Sequence, residues 1–408
     1  MALVQQKNVK RMSYVELAIL MLFSAYFILP AGATTVSTLT ALGIGFAYLA
    51  FLLLAEPAMR SLTVTIFTVV LLVAVFYTLL TDTQTIATTV ENYKLKQFIS
   101  KLHQYFMMYL PFLLAVRVWR RASKRQKLIL LVFALALITY VIVVTMRVLA
   151  LDPNATRDWT GKSEYGDKNL GKYYFVYAIP VLIAALTVFF SRLRTWRKAA
   201  CLAAIVFLFW FLLNAQYTLA VLITLIGVAY QAVKSARSGV TKFLLIVSLL
   251  VLCMFIPSIL SLLIRISPSQ QIALRLREVR VFLVGGGAGG YNLSSRLTLY
   301  GQTIKAFLES PLWGNRSLSF DGHATFLTVL SDTGFLGGIP FYFLVFYVRR
   351  YLIRILGSEG ELFKPIVLMF ILMGLTNPIH SSLALSYAIW LLAPLMLMTM
   401  LEKGNKKV

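Results

Sequence analysis

Long apolar runs constrain the fold of this chain more than any other feature of its sequence. Twelve runs between residues 14 and 401 are apolar enough to enter a hydrocarbon core about 30 Å thick. Hydrophobic residues make up 59% of the 408, which is more than a soluble domain needs. We therefore predict an all-α integral membrane protein of about twelve transmembrane helices, in which residues 1–408 form one polytopic membrane domain. The predicted spans are 14–31, 36–55, 62–81, 98–116, 128–150, 173–191, 199–213, 216–233, 242–264, 324–348, 364–379 and 383–401.

Basic residues are distributed unevenly between the two sides of the predicted bundle. An even number of spans places both termini on one side, and the segments on that side carry 24 of the 39 Lys and Arg residues. Because cytoplasmic loops collect basic residues near span ends, we predict that Met1 and Val408 both lie in the cytoplasm. The same rule accounts for the net charge of +24, which in a soluble protein would indicate nucleic-acid binding. No nucleic-acid partner is predicted.

Two further features narrow the class of protein. Cys201 and Cys253 both lie inside apolar runs, which argues against a disulfide framework and against a cysteine metal site. The first residues are basic, but we predict that the run 14–31 is retained as a span and is not removed as a signal peptide.

One long polar interval interrupts the apolar pattern, and it falls on the predicted outer side. Residues 265–323, between the ninth and tenth spans, form this outer loop, and we predict that it carries most of an active site. Arginine binds phosphate groups through two parallel N–H donors, so the loop is predicted to hold a phosphate or a diphosphate. Contact with anionic lipid headgroups, or plain solvation of helix faces, is the alternative. The loop has seven basic and three acidic residues: Arg265, Arg275, Arg277, Arg280, Arg296, Lys305 and Arg316, against Glu278, Glu309 and Asp321.

Within the outer loop, two segments are predicted to form short helices on the membrane surface. Residues 267–283 and 294–308 both place apolar side chains at helical spacing. The glycine string 285–290 between them lacks the Gly-Lys-Ser/Thr ending of a nucleotide-binding loop, so it is interpreted as a hinge or as slack in the chain. Arg147, near the outer end of the fifth span, is a further candidate for phosphate binding because a charge this close to the apolar core needs a partner.

All three histidines lie on or near the predicted outer side. His323 precedes the tenth span at the membrane boundary, where a general base with a pKa near the working pH is plausible chemistry. Asp332 lies nine residues later, which is half a turn out of phase on an unbroken helix, so the pair does not form a triad and Asp332 needs an interhelical partner. His380, which follows Asn377, and His103 are candidates for lining the same cavity. For both histidines the alternative is a hydrogen-bonded interfacial side chain without a catalytic role.

His323-Ala324, nine further residues, Gly334, two residues and Gly337 form a pattern that resembles the histidine signature of the O-antigen ligase and O-antigen polymerase superfamily. The upstream segments 295–297 (Ser-Arg-Leu) and 310–314 (Ser-Pro-Leu-Trp-Gly) resemble the stretch that precedes this histidine in the superfamily. The similarity covers roughly residues 295–338, and elsewhere it is limited to the twelve spans and the large outer loop. The ligases usually have Asn, Ser or Gln after the histidine, and Ala324 departs from that pattern.

The resemblance implies an integral-membrane glycosyltransferase that takes a glycan from undecaprenyl diphosphate and passes it to an acceptor at the outer face of the cytoplasmic (inner) membrane. Carried over, Arg296 would bind the donor diphosphate, and His323 would activate the acceptor hydroxyl or order the site. Neither a metal ion nor another cofactor is expected, because arginines would neutralise the departing diphosphate. The implied partners are the lipid-linked glycan, a lipid acceptor and the surrounding lipids, with a chain-length regulator protein as a further candidate.

Three functions follow from these features. A polymerase of O-antigen, capsule or exopolysaccharide repeat units is favoured, because the run 322–338 resembles such polymerases. In addition, the stretch 212–223 after the seventh span has Gln216 and Tyr217 but no arginine, whereas ligases tend to have an arginine there. A ligase that transfers the glycan to lipid A core is the alternative within the superfamily. A lipid-linked oligosaccharide transporter is the alternative from another class, but it should carry ionisable or helix-breaking residues at mid-membrane in several spans. The spans here are predicted to be nearly free of charge apart from Asp332, and polar residues gather in one outer loop.

Overall fold

The computed structural model describes residues 11–80, 93–153, 155–157, 169–190, 195–236, 238–266, 270–285, 291–315, 324–357, 360–379 and 382–404. Within these ranges the chain is helical almost throughout and contains no strand, which confirms the predicted all-α class. The helices are α1 (Tyr14–Ile28), α2 (Pro30–Thr35), α3 (Thr38–Ala55), α4 (Arg60–Leu79), α5 (Tyr93–Arg121), α6 (Lys124–Leu151), α7 (Tyr173–Val176), α8 (Ala178–Phe190), α9 (Thr195–Asn214), α10 (Thr218–Ser235), α11 (Gly239–Ile266), α12 (Gln270–Gly285), α13 (Tyr291–Glu309), α14 (Thr325–Leu356), α15 (Gly360–Thr376), α16 (Leu383–Tyr387) and α17 (Ala393–Gly404).

Five helices in the described part of the chain are long and apolar enough to cross a membrane. A sixth span is added if α11, which bends by 53° between its halves 239–252 and 254–266, crosses as one unit. Each of the twelve predicted runs overlaps a helix or a broken helix, and the two predicted surface helices correspond to α12 and α13. The five are Thr38–Ala55, Pro57–Leu79, Lys124–Leu151, Trp196–Asn214 and Thr325–Leu356.

Helix α5 lies at the centre of the bundle. Its middle section, 105–116, is buried on every side, and Tyr109, Phe112 and Leu113 have no exposed surface. A helix that is apolar all round has to be surrounded by other helices, and α5 packs against α3, α4 and α16. Helix α4 also packs along α14, and α14 contacts the central helix directly through the ring pairs Tyr105–Phe341 and Phe112–Tyr351.

The end of α5 that is predicted to face the cytoplasm is fixed by a buried ionic network. Arg117 donates from Nε and Nη2 to the two carboxylate oxygens of Glu16, at 2.6 and 3.0 Å, and also donates to Glu56. Arg121 donates to both oxygens of Glu56, at 2.6 and 2.9 Å. Fork-like pairing of this kind satisfies charges that would otherwise be costly to bury. The network ties α1 and the end of α3 to α5.

This network corrects one expectation from the sequence. The predicted spans are not nearly free of charge apart from Asp332, because Glu16 lies in the first span and is only 6% exposed. Its partner Arg117 lies just beyond the fourth predicted span, so the hydrophobic pattern of the first span alone does not reveal this ion pair. Glu16 is therefore paired within a buried ionic network near the start of α1.

Candidate active site

Helix α14 is interrupted at Gly334, one of the two glycines in the pattern that begins at His323. Gly334 has φ 56° and ψ −154°, a conformation that only glycine adopts without strain. A Cβ atom at this position would lie 2.4 Å from the backbone carbon and oxygen of Leu312, which is closer than real atoms approach. The glycine is required both by its backbone conformation and by the approach of the upstream segment.

The segment 310–315 replaces the hydrogen bonds that α14 loses at this break. In a regular helix the amide of Phe335 would donate to the carbonyl of Ser331. Here it donates to the carbonyl of Pro311 at 2.8 Å, while the Ser331 carbonyl accepts from the amide of Asn315 at 2.6 Å. Two separate parts of the superfamily-like pattern are thus joined through their backbones.

Gly314 makes the same docking possible from the other side. It has φ 79°, and a Cβ atom there would lie 2.4 Å from the backbone carbon of Asp332. Small residues at helical spacing, such as Gly334, Gly337 and Gly338, commonly allow close packing between membrane helices. The structure shows a different use for Gly334, because its close neighbour is the turn that ends the outer loop's second helix.

Asp332 is buried next to this break and is paired across the bundle. Its side chain is 4% exposed, and its carboxylate accepts a hydrogen bond from the hydroxyl of Tyr77 on α4. The ring of Tyr77 in turn lies under the ammonium of Lys101 on α5, with Nζ 4.1 Å from the ring centre. Tyr77 is therefore an interhelical partner of Asp332, which the sequence alone did not identify.

A second polar junction joins the start of α14 to the end of α15. The carbonyl of Asn377 accepts hydrogen bonds from both the amide and the hydroxyl of Thr325, each at 3.1 Å. The side-chain oxygen of Asn377 accepts from the hydroxyl of Tyr173, and Asn377 is only 1% exposed. Tyr300 on α13 reaches the carbonyl of Thr376 at 3.4 Å. Asn377, predicted to line a cavity, thus lies where α7, α13, α14 and α15 meet.

Tyrosine rings cover one side of this junction. The ring centre of Tyr173 lies 4.9 Å from that of Tyr177 and 5.6 Å from that of Tyr217. The hydroxyl of Tyr217 donates to the carbonyl of Thr156 at 2.8 Å, which holds the ring in place. Aromatic rings with a polar tip pack through the ring and form hydrogen bonds through the hydroxyl when buried. This cluster was not predicted from the sequence, although the adjacent residues Tyr173 and Tyr174, directly after a polar interval, could have indicated an aromatic site.

Gln216, beside Tyr217, has an unusual backbone. Its φ is 59°, in the left-handed region that non-glycine residues rarely adopt, and the residue is buried. A non-glycine residue in such a conformation costs on the order of 1–3 kcal/mol, and residues of this kind concentrate at functional sites. Its side chain donates to the carbonyl of Pro153 at 3.4 Å. The strained turn between α9 and α10 therefore sets the position of the tyrosine cluster.

The predicted phosphate-binding arginines fall into two groups. Arg147, Arg265, Arg277 and Arg280 are exposed on α6, α11 and α12. Their location on exposed faces is compatible with phosphate binding and equally with lipid or solvent contact. For Arg275 the helix is described, but the side chain lies outside the described residues.

Arg296 lies on α13, and its side chain is also outside the described residues. Its backbone position is nevertheless informative, because it precedes Tyr300 by four residues and positions i and i+4 share a face of a helix. Tyr300 makes the hydrogen bond to Thr376 at the α13–α15 contact. Position 296 is therefore on the face of α13 that meets the junction around Asn377.

The three histidines are placed differently by the structure. His323 and His380 lie outside the described residues, although each is within three positions of the contact between Thr325 and Asn377 along the chain. His103 is half-buried, and its Nε2 lies 3.1 Å from the hydroxyl of Tyr26 on α1. The described contact of His103 is thus with α1, as expected for a hydrogen-bonded interfacial histidine.

The predicted orientation of Asp332 relative to His323 rested on an assumption that does not hold in the structure. The half-turn offset between His323 and Asp332 assumed an unbroken helix. Helix α14 begins at Thr325, after the extended residue Ala324, and is broken at Gly334. The phase of Asp332 relative to His323 therefore cannot be read from a count of residues, because the helix does not include both.

The described residues supply hydrogen-bond donors and positive charge, but no cluster of metal ligands. No group of three or more His, Cys, Asp and Glu side chains that could hold a metal ion is found in the described ranges. The polar groups of the junction, from Tyr173, Tyr300, Thr325 and Asn377, form hydrogen bonds that join the helices to one another.

Comparison with known proteins gives no assignment, since neither a protein-family model nor a curated protein matches the chain.

Proposed function

We propose that this protein is a membrane glycosyltransferase that polymerises oligosaccharide repeat units carried on undecaprenyl diphosphate. In this proposal twelve helices span the cytoplasmic membrane, both termini are cytoplasmic, and residues 265–323 face outward as the catalytic loop. The product is an O-antigen, capsule or exopolysaccharide chain. The superfamily resemblance over residues 295–338 suggests the reaction class, and the contacts around Asn377 support it.

The observation that carries the proposal is the junction of Tyr300, Thr376, Asn377 and Thr325. These hydrogen bonds bring together the helix that bears Arg296, the start of α14 just after His323, and the end of α15 just before His380. The residues to which the resemblance assigns roles are thus attached to elements that meet at one place. A scattered arrangement of these elements would have argued against a shared site.

In the proposed reaction, the oxygen of an acceptor sugar hydroxyl attacks the anomeric carbon of the donor glycan. As the new C–O bond forms, the bond between that carbon and the diphosphate oxygen breaks, and undecaprenyl diphosphate leaves with the electron pair. His323 takes the proton of the hydroxyl. Arg296, with Arg275, Arg277 and Arg280 on α12, Arg265 on α11 and Arg147 on α6, stabilises the charge that develops on the diphosphate.

The break at Gly334 has a supporting role in this proposal. It anchors the end of the outer loop to α14 through main-chain hydrogen bonds, on a buried base formed by Asp332 and Tyr77. Asn315 and Thr325, the described residues on either side of the stretch that carries His323, are both held by main-chain hydrogen bonds. A catalytic group needs this kind of support from rigid elements.

The proposal is tested with purified protein and a lipid-diphosphate-linked repeat unit from its own host. The products are separated on a gel for the wild type and for His323→Ala. A ladder of products that is lost in the variant supports a polymerase. A single new product formed only when lipid A core is added would assign a ligase instead. Lipid movement across a vesicle membrane with no glycan transfer would overturn the enzyme and favour a transporter.

A further inference from the structure

A basic cavity lies away from the candidate active site, on the side that the charge distribution assigns to the cytoplasm. It has a volume of about 310 Å³ and is lined by residues from the end of α10, the start of α11 and the start of α15. That volume is roughly ten times the share of one water molecule in the liquid. The lining residues are Tyr230, Val233, Lys234, Lys242, Glu361 and Lys364.

The three lysines of this cavity are compensated by a single carboxylate. Lys234 donates to the side chain of Glu361 at 2.9 Å and to its carbonyl at 2.5 Å, and Lys364 lies 2.5 Å from the other carboxylate oxygen. Lys242 forms no ion pair with any described residue. The hydrogen bonds from Lys364 and Lys234 lower the pKa of Glu361, so the carboxylate stays ionised at neutral pH. The cavity therefore carries a net charge of about +2.

A phosphate monoester matches this charge. It carries about −1.5 to −2 at pH 7 and presents three acceptor oxygens. Three ammonium groups and the hydroxyl of Tyr230 supply donors for those oxygens. A phosphodiester carries only one charge and would leave the cavity positive, so the monoester is the better fit.

The surroundings of the cavity favour a lipid as the source of the phosphate. Next to Lys242, the apolar side chains of Val240, Phe243 and Leu244 are 57–69% exposed on α11. Exposed apolar side chains beside a lysine cluster offer a surface for acyl chains, while the lysines hold the headgroup at the membrane boundary. Free phosphate would use the lysines but gain nothing from this apolar surface.

We propose that the cavity between α10, α11 and α15 binds a phosphate monoester, supplied by the headgroup of an anionic lipid such as phosphatidic acid. This site lies outside the proposed glycosyltransferase centre and does not depend on it. A bound lipid headgroup contacts both the start of α11 and the start of α15. Binding therefore stabilises the packing of α11, which among the described helices contacts chiefly α10 and α12.

The test measures retention of phosphatidic acid by the full-length protein in native mass spectrometry, beside phosphatidylcholine as the neutral comparison. One lysine near a membrane surface contributes about a fivefold change in binding, so Lys242→Gln with Lys364→Gln should weaken binding about 25-fold. Lys124→Gln is the matched control, because Lys124 is an exposed lysine at the start of α6, outside the cavity. Glu361→Gln should strengthen binding about fivefold, a gain that misfolding cannot produce.

A parallel arm adds inorganic phosphate without lipid and follows thermal unfolding. Stabilisation by phosphatidic acid at concentrations where inorganic phosphate has no effect identifies the lipid as the source. Equal stabilisation by inorganic phosphate keeps the monoester site but overturns the lipid source. Equal retention of phosphatidic acid and phosphatidylcholine, or unchanged retention in the double lysine variant, overturns the proposal altogether.

Discussion

The hydroxyl of Tyr77 donates a hydrogen bond to the carboxylate of Asp332, which lies 255 positions further along the chain. This contact joins α4 to α14 directly below the break at Gly334. It supports the turn through which the outer loop returns to the bundle. A buried carboxylate needs such a donor, since an unpaired one is costly in a low-dielectric interior.

Tyr77→Phe should therefore lower the free energy of unfolding by about 1–3 kcal/mol, because the carboxylate loses a donor while the ring volume is kept. Thermal unfolding in detergent measures the effect. Tyr109→Phe is the control, since the Tyr109 hydroxyl is buried with no hydrogen-bond partner in the described part of the chain. Equal destabilisation by both variants would contradict a specific role for the Tyr77 hydroxyl.

Gly334→Ala should destabilise the protein by at least about 2 kcal/mol, because the added Cβ meets the Leu312 backbone and the positive φ becomes strained. Gly301→Ala provides the matched control within α13, where a Cβ atom would meet nothing within 4 Å. That substitution should be neutral or stabilising by up to about 1 kcal/mol. A Gly334→Ala variant as stable as Gly301→Ala would show that segment 310–315 is not docked as described.

Arg117→Ala should cost about 3–5 kcal/mol, because it leaves Glu16 buried without its ionic partner and weakens the pairing of Glu56. Arg125→Ala, at an exposed position at the start of α6, should change stability by no more than about 0.5 kcal/mol. Denaturation of both variants in the same detergent gives the comparison. Restoration of the lost stability by the further change Glu16→Gln would confirm that the cost arises from the unpaired charge.

The contact of Glu361 with Lys234 and Lys364 should be insensitive to pH around neutrality. Its pKa is lowered from 4.5 by those lysine hydrogen bonds, so the folded protein holds the carboxylate ionised below the pH at which the unfolded chain protonates. The stability from this contact is present above about 4.5 and is lost as pH falls through the lower, folded pKa. Thermal unfolding measured between about pH 3 and about pH 7 should show this acid-induced loss of stability in the wild type and not in Glu361→Gln. The other charged group lining the cavity is Lys242.

The helices were largely predictable from the sequence, because a membrane-spanning segment is defined by its own length and polarity. The tenth predicted span, 324–348, corresponds to the start and most of α14. The break at Gly334 was not predictable, because it depends on a turn that returns from the outer loop. In the sequence, only the presence of glycine at position 334 indicated that another backbone segment approaches α14 closely.

The candidate site was less predictable than the fold for the same physical reason. The residue types that bind phosphate or transfer protons are visible in any sequence, so Arg296 and His323 could be proposed. Contacts such as Thr325 with Asn377, or Tyr173 with Tyr217, join helices that lie far apart along the chain. No periodicity within one helix specifies which distant helix it meets.

The most direct test of the proposed function compares two basic residues on the same helix, α13. Arg296 is proposed to bind the donor diphosphate, whereas Lys305 is exposed and lies 3.9 Å from Glu309 on its own helix. The measurement is the initial rate at which purified, folded protein releases undecaprenyl diphosphate from a lipid-linked repeat unit. We predict that Arg296→Ala lowers this rate by about 100-fold or more, and that Lys305→Ala stays close to the wild-type rate. A wild-type rate for Arg296→Ala, or an equal loss in both variants, would contradict the account.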